Sequence, residues 1–179
     1  MILMPDTSYF EYVTKIRKDT DTFFKHSEDS PLTPEQKRSF EGLTNFPVNE
    51  ELNLKIELHK NEHPEEVIIL ATKGDERKYL RFGYIEFTYE GKDNRLTVFK
   101  PPEDDYLFIP FKDKTSGIES YGGGRYIELE PLPDGLYTLD FNLAYIPYCA
   151  YNDRFSCTLV PSENFLEIKI PAGQMNYNK

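Results

Sequence analysis

The chain has no tryptophan, only two cysteines and only three histidines in 179 residues. Two thiols, Cys149 and Cys157, are too few for a tetrahedral metal, and their spacing matches neither a zinc knuckle nor a C-x-x-C redox motif. Basic residues are also scarce, 21 Lys and Arg against 31 Asp and Glu, for a formal net charge of −10. No basic stripe interrupts that excess, which argues against nucleic acid and anionic membranes as partners. Long apolar runs are missing as well. No segment has the length to span a bilayer, and Met1–Asp6 carries neither the basic nor the apolar part of a secretory leader. The expectation is a cytoplasmic protein whose cysteines are thiols.

What is abundant is aromatic: 13 Tyr and 13 Phe. Such rings favour strands and line pockets as readily as cores. Two helices come first. Ser8 with Glu11 forms a capping box, and Tyr9, Val13, Ile16 and Phe23 give a stripe through 8–25. Thr33-Pro34-Glu35-Gln36 starts a short second helix, expected to stop near Gly42. From Leu52 the period becomes two, and strands are expected at 52–58, 67–71, 79–89, 96–99, 106–111, 125–130, 136–145 and 165–170. Gly83 marks a bulge where the apolar parity switches. The reading is one domain, with a helical segment over 1–45 packed on a β-domain over 50–175. It is mainly β, an antiparallel barrel or curved sandwich of about eight to nine strands with two N-terminal helices.

Several patterns bear on chemistry. His59-Lys60-Asn61-Glu62-His63 fits the H-x-x-E-H spacing of one zinc-peptidase class, but it follows an alternating strand and runs into Pro64. Both histidines must share a helix face for that chemistry, so the stretch reads as a polar hairpin loop, and no metal or cofactor is expected. The glycine run Gly122-Gly123-Gly124 before Arg125 lacks the Lys-Ser/Thr of a phosphate loop and leads into a strand. Two readings of Arg125 stand equal: it meets an anionic ligand, or it pairs with Asp113 to pin a loop. Along 136–145, Asp140 and Asn142 share the face opposite Leu139, Phe141 and Tyr145. That polar face points to solvent or to a barrel lumen. Cys149 and Cys157 read as buried thiols, with a disulfide open if their Cα atoms lie within reach.

The block from Leu107 to Gly173 resembles a known family. Phe108-Ile-Pro-Phe111, Asp113, Thr115-Ser116-Gly117, Tyr121-Gly122, Gly124-Arg125, Leu139-Asp140-Phe141-Asn142, Ala144-Tyr145, Pro147, Cys149-Ala150, Cys157, Pro161, Asn164 and Ala172-Gly173 carry the likeness. Upstream, Phe40, Gly42-Leu43 and Phe46-Pro47 extend it. These residues are similar to those of an uncharacterised prokaryotic family, domain of unknown function 1684. The resemblance implies that Asp113, Thr115, Tyr121, Arg125, Asp140, Asn142, Tyr145 and Cys149 are the family's marked polar positions; it implies no reaction. The expected function is binding of a small polar or anionic molecule. Arg125 would grip a carboxylate or phosphate, Asp113, Asp140 and Asn142 would supply hydrogen bonds, and Tyr121, Tyr145 and Tyr151 would form walls. The alternatives are a hydrolase- or transferase-type enzyme using Asp140, Asp113 or Cys149, and a structural or protein-interaction domain.

Overall fold

The computed structural model describes residues 8–178; the N-terminal reading of Met1–Asp6 lies outside them. Both helices form where their caps place them. Helix α1 spans Tyr9–His26 and α2 spans Pro34–Ser39, each opened by a complete capping box, Ser8 with Glu11 and Thr33 with Gln36. Helix α2 ends before Gly42, at Phe40. Gly42 instead lets the backbone pass close to the Asp21 carboxylate, at φ +140°. In α1 the buried side chains are Val13 and Phe24, so the docked stripe is narrower than the periodicity suggested. Among the described residues, no helix is long and apolar enough to cross a membrane.

Among the described residues, seven antiparallel strands follow: β1 (Asn53–Ile56), β2 (Leu58–Leu70), β3 (Glu76–Tyr89), β4 (Lys92–Lys100), β5 (Leu107–Phe111), β6 (Arg125–Pro131) and β7 (Tyr137–Asp140). They form one sheet in the order β1-β7-β6-β5-β4-β3-β2. Only Glu57 separates β1 from β2, yet the two strands are the opposite edges of that sheet. One residue of chain bridges only a few ångströms, so the edges must approach each other there, and the sheet curls into a half-barrel.

Seven of the eight expected strands form, one of them shortened, and the eighth does not. The 136–145 segment leaves the sheet at Asp140 and tightens into a 3-10 turn, Phe141–Leu143. The 165–170 segment makes only a single bridge, Lys112 to Phe165; Leu166, Ile168 and Ile170 are nevertheless buried in the main core. The H-x-x-E-H stretch is not a hairpin loop either. It lies inside β2, where pairing with β3 skips from Lys60–Gly83 to Glu65–Arg81 and the intervening residues bulge outward. Its backbone is extended, so the helix face that zinc-peptidase chemistry requires does not exist.

Register explains how the sheet carries two apolar faces. Between β3 and β4 the pairing shifts at Arg81–Gly83, leaving Phe82 as the extra residue of a bulge. Parity therefore switches: Tyr79 lies in one cluster and Ile85 and Phe87 in the other. Glycine is required at 83, because a Cβ there would stand 2.3 Å from the His59 carbonyl oxygen. The main core takes Leu107, Ile109, Phe111, Ile127, Leu129 and Leu139. Tyr79, Phe99, Phe108 and Tyr126 form the cluster on the opposite face.

Candidate functional site

The polar residues singled out in the sequence separate into three groups. The first surrounds Arg125, which begins β6 on the same parity as Ile127 and Leu129 and is 0% exposed. Its Nη2 donates to the Ile170 carbonyl at 2.8 Å and pairs with Asp113 Oδ1 at 3.3 Å. Its Nη1 donates to the carbonyls of Ala172 and Gln174. The guanidinium also lies over the rings of Phe111 and Phe46, at 5.2 and 5.7 Å. Asp113 accepts from the Ile170 N–H at 2.6 Å and from the Thr115 hydroxyl at 2.8 Å, and Thr115 in turn meets Ser120. Burial pulls the Arg125 pKa down while Asp113 holds it up. These contacts match the second of the two readings, a pairing with Asp113: Arg125 tethers the 170–174 segment to the sheet.

The preceding glycines serve that placement. Gly124 has φ +95°, and a Cβ there would stand 2.6 Å from the Phe111 carbonyl oxygen and 2.7 Å from Val160. Only glycine tolerates both, so the chain can turn tightly and drive Arg125 inward.

The second group gathers at the start of α1. Asp140 ends β7 and caps the following turn by accepting from the Asn142 N–H at 3.0 Å. The Tyr9 hydroxyl donates to both Asp140 oxygens, at 2.7 and 2.8 Å, and accepts from Asn142 Nδ2 at 2.9 Å. Asn142 also clasps Asn49 through both its N–H and its carbonyl, each at 2.8 Å. Neither solvent nor a lumen is the partner of this face; helix α1 is. Burial and Asp140 together raise the Tyr9 pKa strongly. Asp113 and Asp140 thus both accept from internal donors through both of their oxygens.

The third group borders a cleft of about 820 Å³ between α1 and the second apolar face of the sheet. Ile16, Thr20 and Phe23 form the helix wall; Tyr79, Tyr106, Phe108 and Tyr126 pave the sheet; Tyr145, Tyr148, Phe155 and Cys157 close the sides. The rings are in mutual contact. Tyr79 and Phe108 stack at 5.7 Å, Phe108 meets Tyr126 edge-on at 4.8 Å, and Tyr126 meets Tyr145 edge-on at 5.8 Å. The Tyr79 hydroxyl bonds Thr158 Oγ1 at 2.8 Å, and the Tyr126 hydroxyl donates to the Thr158 carbonyl.

Two carboxylates border the cleft, Asp19 on the helix wall, ion-paired with Lys15 at 2.5 Å, and Glu128 on the aromatic floor. Glu128 accepts from the Tyr145 hydroxyl through Oε1, while Oε2 has no hydrogen-bond partner among the described residues. Burial raises its pKa, against the lowering effect of the Tyr145 bond. Arg77, also on the lining, is already bound to Asp75 at 3.0 Å and to the Ser156 carbonyl at 2.8 Å.

Of the eight marked positions, Tyr145 alone lines the cleft. Tyr121 and Cys149 sit beside it in contact with each other, hydroxyl to sulfur, at 3.9 Å. Burial pushes the Tyr121 pKa up to about 12. Tyr151, an expected wall, is buried against Phe24 at 5.0 Å. Sequence reasoning missed Glu128, Tyr126, Phe108 and Tyr79. The usable signal was parity: Tyr126 and Glu128 alternate with Ile127 and Leu129, so a carboxylate and a ring share the face away from the main core.

Fold and cleft together define a mainly-β half-barrel domain with an N-terminal helix laid across an aromatic sheet face. The model of the family described as "Protein of unknown function (DUF1684)" matches residues 38–175, and the chain belongs to that family. It is similar to the solution NMR structure of an uncharacterised protein from gene locus rrnAC0354 of Haloarcula marismortui. The two are 40% identical, with 92% of each chain covered and a TM-score of 0.71. No curated protein matches.

Proposed function

We propose that this chain is a small-molecule-binding domain, with its ligand held between α1 and the ring floor of β3, β5 and β6. The observation that carries the reading is the coincidence of an 820 Å³ cleft, a contiguous tier of Tyr and Phe rings, and a carboxylate with one uncommitted oxygen. Its volume lies in the range of sites that bury a small ligand, about 300–1,000 Å³. The rings favour a flat, largely apolar molecule. Glu128 Oε2 asks for a hydrogen-bond donor or a cationic nitrogen opposite it. The ligand class is therefore polar through a donor group; the anionic class first expected around Arg125 has no free cation to meet it there, because the guanidinium's contacts are internal.

A matched pair of probes tests this. Tryptamine and indole-3-acetate share a ring system and differ in the sign of the side-chain charge. Saturation-transfer NMR should detect tryptamine at the cleft, and Glu128→Gln should weaken it by about tenfold or more, the loss of a charge-assisted hydrogen bond. Equal binding of indole-3-acetate, or tryptamine binding that Glu128→Gln leaves untouched, would refute the assignment. Native mass spectrometry of protein purified from its source would then show whether a planar amine is retained.

A further inference from the structure

Cys149 stands outside the cleft lining and Cys157 only closes one side of it, yet the fold brings them together. Seven residues separate them in sequence, Ala150–Ser156. Cys149 lies on a short 3-10 turn, Tyr148–Ala150, whose Tyr148 packs on Phe24 of α1. Cys157 belongs to the segment laced to the end of β2: its N–H donates to Thr72 Oγ1 at 3.1 Å, its carbonyl accepts from the Thr72 N–H at 2.9 Å, and the next residue, Thr158, bridges Ala71. The two sulfurs therefore hang from different walls, one on the helix side and one on the sheet side. They nonetheless meet. The Cys149 N–H donates to Cys157 Sγ at 3.2 Å. Both are free and only half-buried, so small reagents can reach them.

The geometry points to Cys149 and Cys157 being a reversible dithiol–disulfide pair, with Cys149 the attacking sulfur, Cys157 the resolving one, and a low-molecular-weight disulfide as oxidant. The surroundings favour those roles. Hydrogen bonds from the Cys157 thiol, and then from the Tyr121 and Thr72 hydroxyls, pull the Cys149 pKa down to about 6 against its burial, so its thiolate prevails at neutral pH. The shared proton and burial push Cys157 up. In the first step the Cys149 thiolate attacks one sulfur of RSSR, forming a mixed disulfide and releasing RS⁻. The Cys157 thiol gives its proton to that thiolate, attacks Cys149 Sγ and expels the second RS⁻. That second thiolate takes up the proton that Cys149 had given to solvent. One S–S bond forms in the protein, one breaks in the oxidant, and two electrons pass to RSSR, which leaves as two RSH. Because Cys157 and Tyr148 line the cleft, the bond would join its helix-side and sheet-side walls.

The test uses the reduced full-length chain and oxidised glutathione. Intact mass should fall by two hydrogens, peptide mapping should give a Cys149–Cys157 cross-link, and dithiothreitol should restore the starting mass. Cys157→Ser should instead accumulate one glutathionyl group on Cys149. In the wild type, alkylation of Cys149 by iodoacetamide should rise with pH through a midpoint near 6 and then level off. A wild type that stops at stable glutathione adducts, or keeps both thiols under conditions that oxidise free dithiothreitol, would overturn the proposal. So would an alkylation rate still climbing through the range of an ordinary cysteine, about pH 8.5.

Discussion

Replacing Arg125 with methionine separates a structural arginine from a ligand-gripping one. The side chain is 0% exposed, and its two terminal nitrogens serve Asp113 and the carbonyls of Ile170, Ala172 and Gln174. Methionine fills much of the volume but leaves Asp113 as a buried carboxylate without its counter-charge, and strands the carbonyls. Removing one member of a buried pair costs about 3–5 kcal/mol. With a urea slope of about 2–3 kcal/mol per M for a chain of this size, the unfolding midpoint should fall by about 1–2.5 M. Asp113 keeps the Ile170 N–H and the Thr115 hydroxyl, so adding Asp113→Asn removes the stranded charge while preserving an acceptor. The double variant should therefore be more stable than Arg125→Met alone. Amide hydrogen exchange should locate the damage at 170–174, the segment the guanidinium holds. A midpoint change worth less than about 0.5 kcal/mol would refute the reasoning, since that is what a change at an unremarkable surface site produces. Loss of binding at unchanged stability would return Arg125 to the ligand.

Two further outcomes follow from the same contacts. Gly124→Ala places a Cβ 2.6 Å from a carbonyl oxygen at a φ of +95°, so it should destabilise by at least about 1–3 kcal/mol, whereas Gly74→Ala, with open space around its Cβ, should cost less; thermal unfolding of the two decides. Glu128 has a folded pKa raised by burial, so the folded state holds that proton more tightly. Its contribution is fully present below the unfolded value of about 4.3 and is lost as pH rises through the folded pKa. The stability of wild type relative to Glu128→Gln should therefore decline on raising the pH from about 4 toward neutrality, and a difference that grows over that range would contradict the buried placement.

Local chemistry was legible in the sequence where neighbours along the chain decide it. Both capping boxes are reciprocal bonds between residues three apart, so Ser8–Glu11 and Thr33–Gln36 formed as read. The parity switch at Gly83 reflects one inserted residue, and the bulge at Phe82 bears it out. The fate of Arg125 was half legible: it shares parity with Ile127 and Leu129, an apolar face, and that alternation deserved more weight than the glycines before it. The carbonyls that make such burial tolerable lie about 45 residues downstream, at Ile170 and Ala172, and no local pattern announces them. Asp140 and Asn142 met one partner, as a shared face allows, but the partner is Tyr9, more than 130 residues away.

The sequence by itself determined the helix starts, most strand positions, the bulge and the family. Each depends on short-range periodicity, caps or contiguous motifs. Only the tertiary structure decided where the cleft lies, because its walls come from α1, from β3, β5 and β6, and from the 143–148 and 155–158 segments. It also decided that the sheet is a curled half-barrel, since that follows from β1 and β2, one residue apart in the chain, being its opposite edges. The same holds for the meeting of Cys149 with Cys157, whose supports are a turn packed on one helix and a segment laced to the far end of β2. Contacts made across the chain are set by packing of whole elements, and that packing is not written in any one stretch of residues.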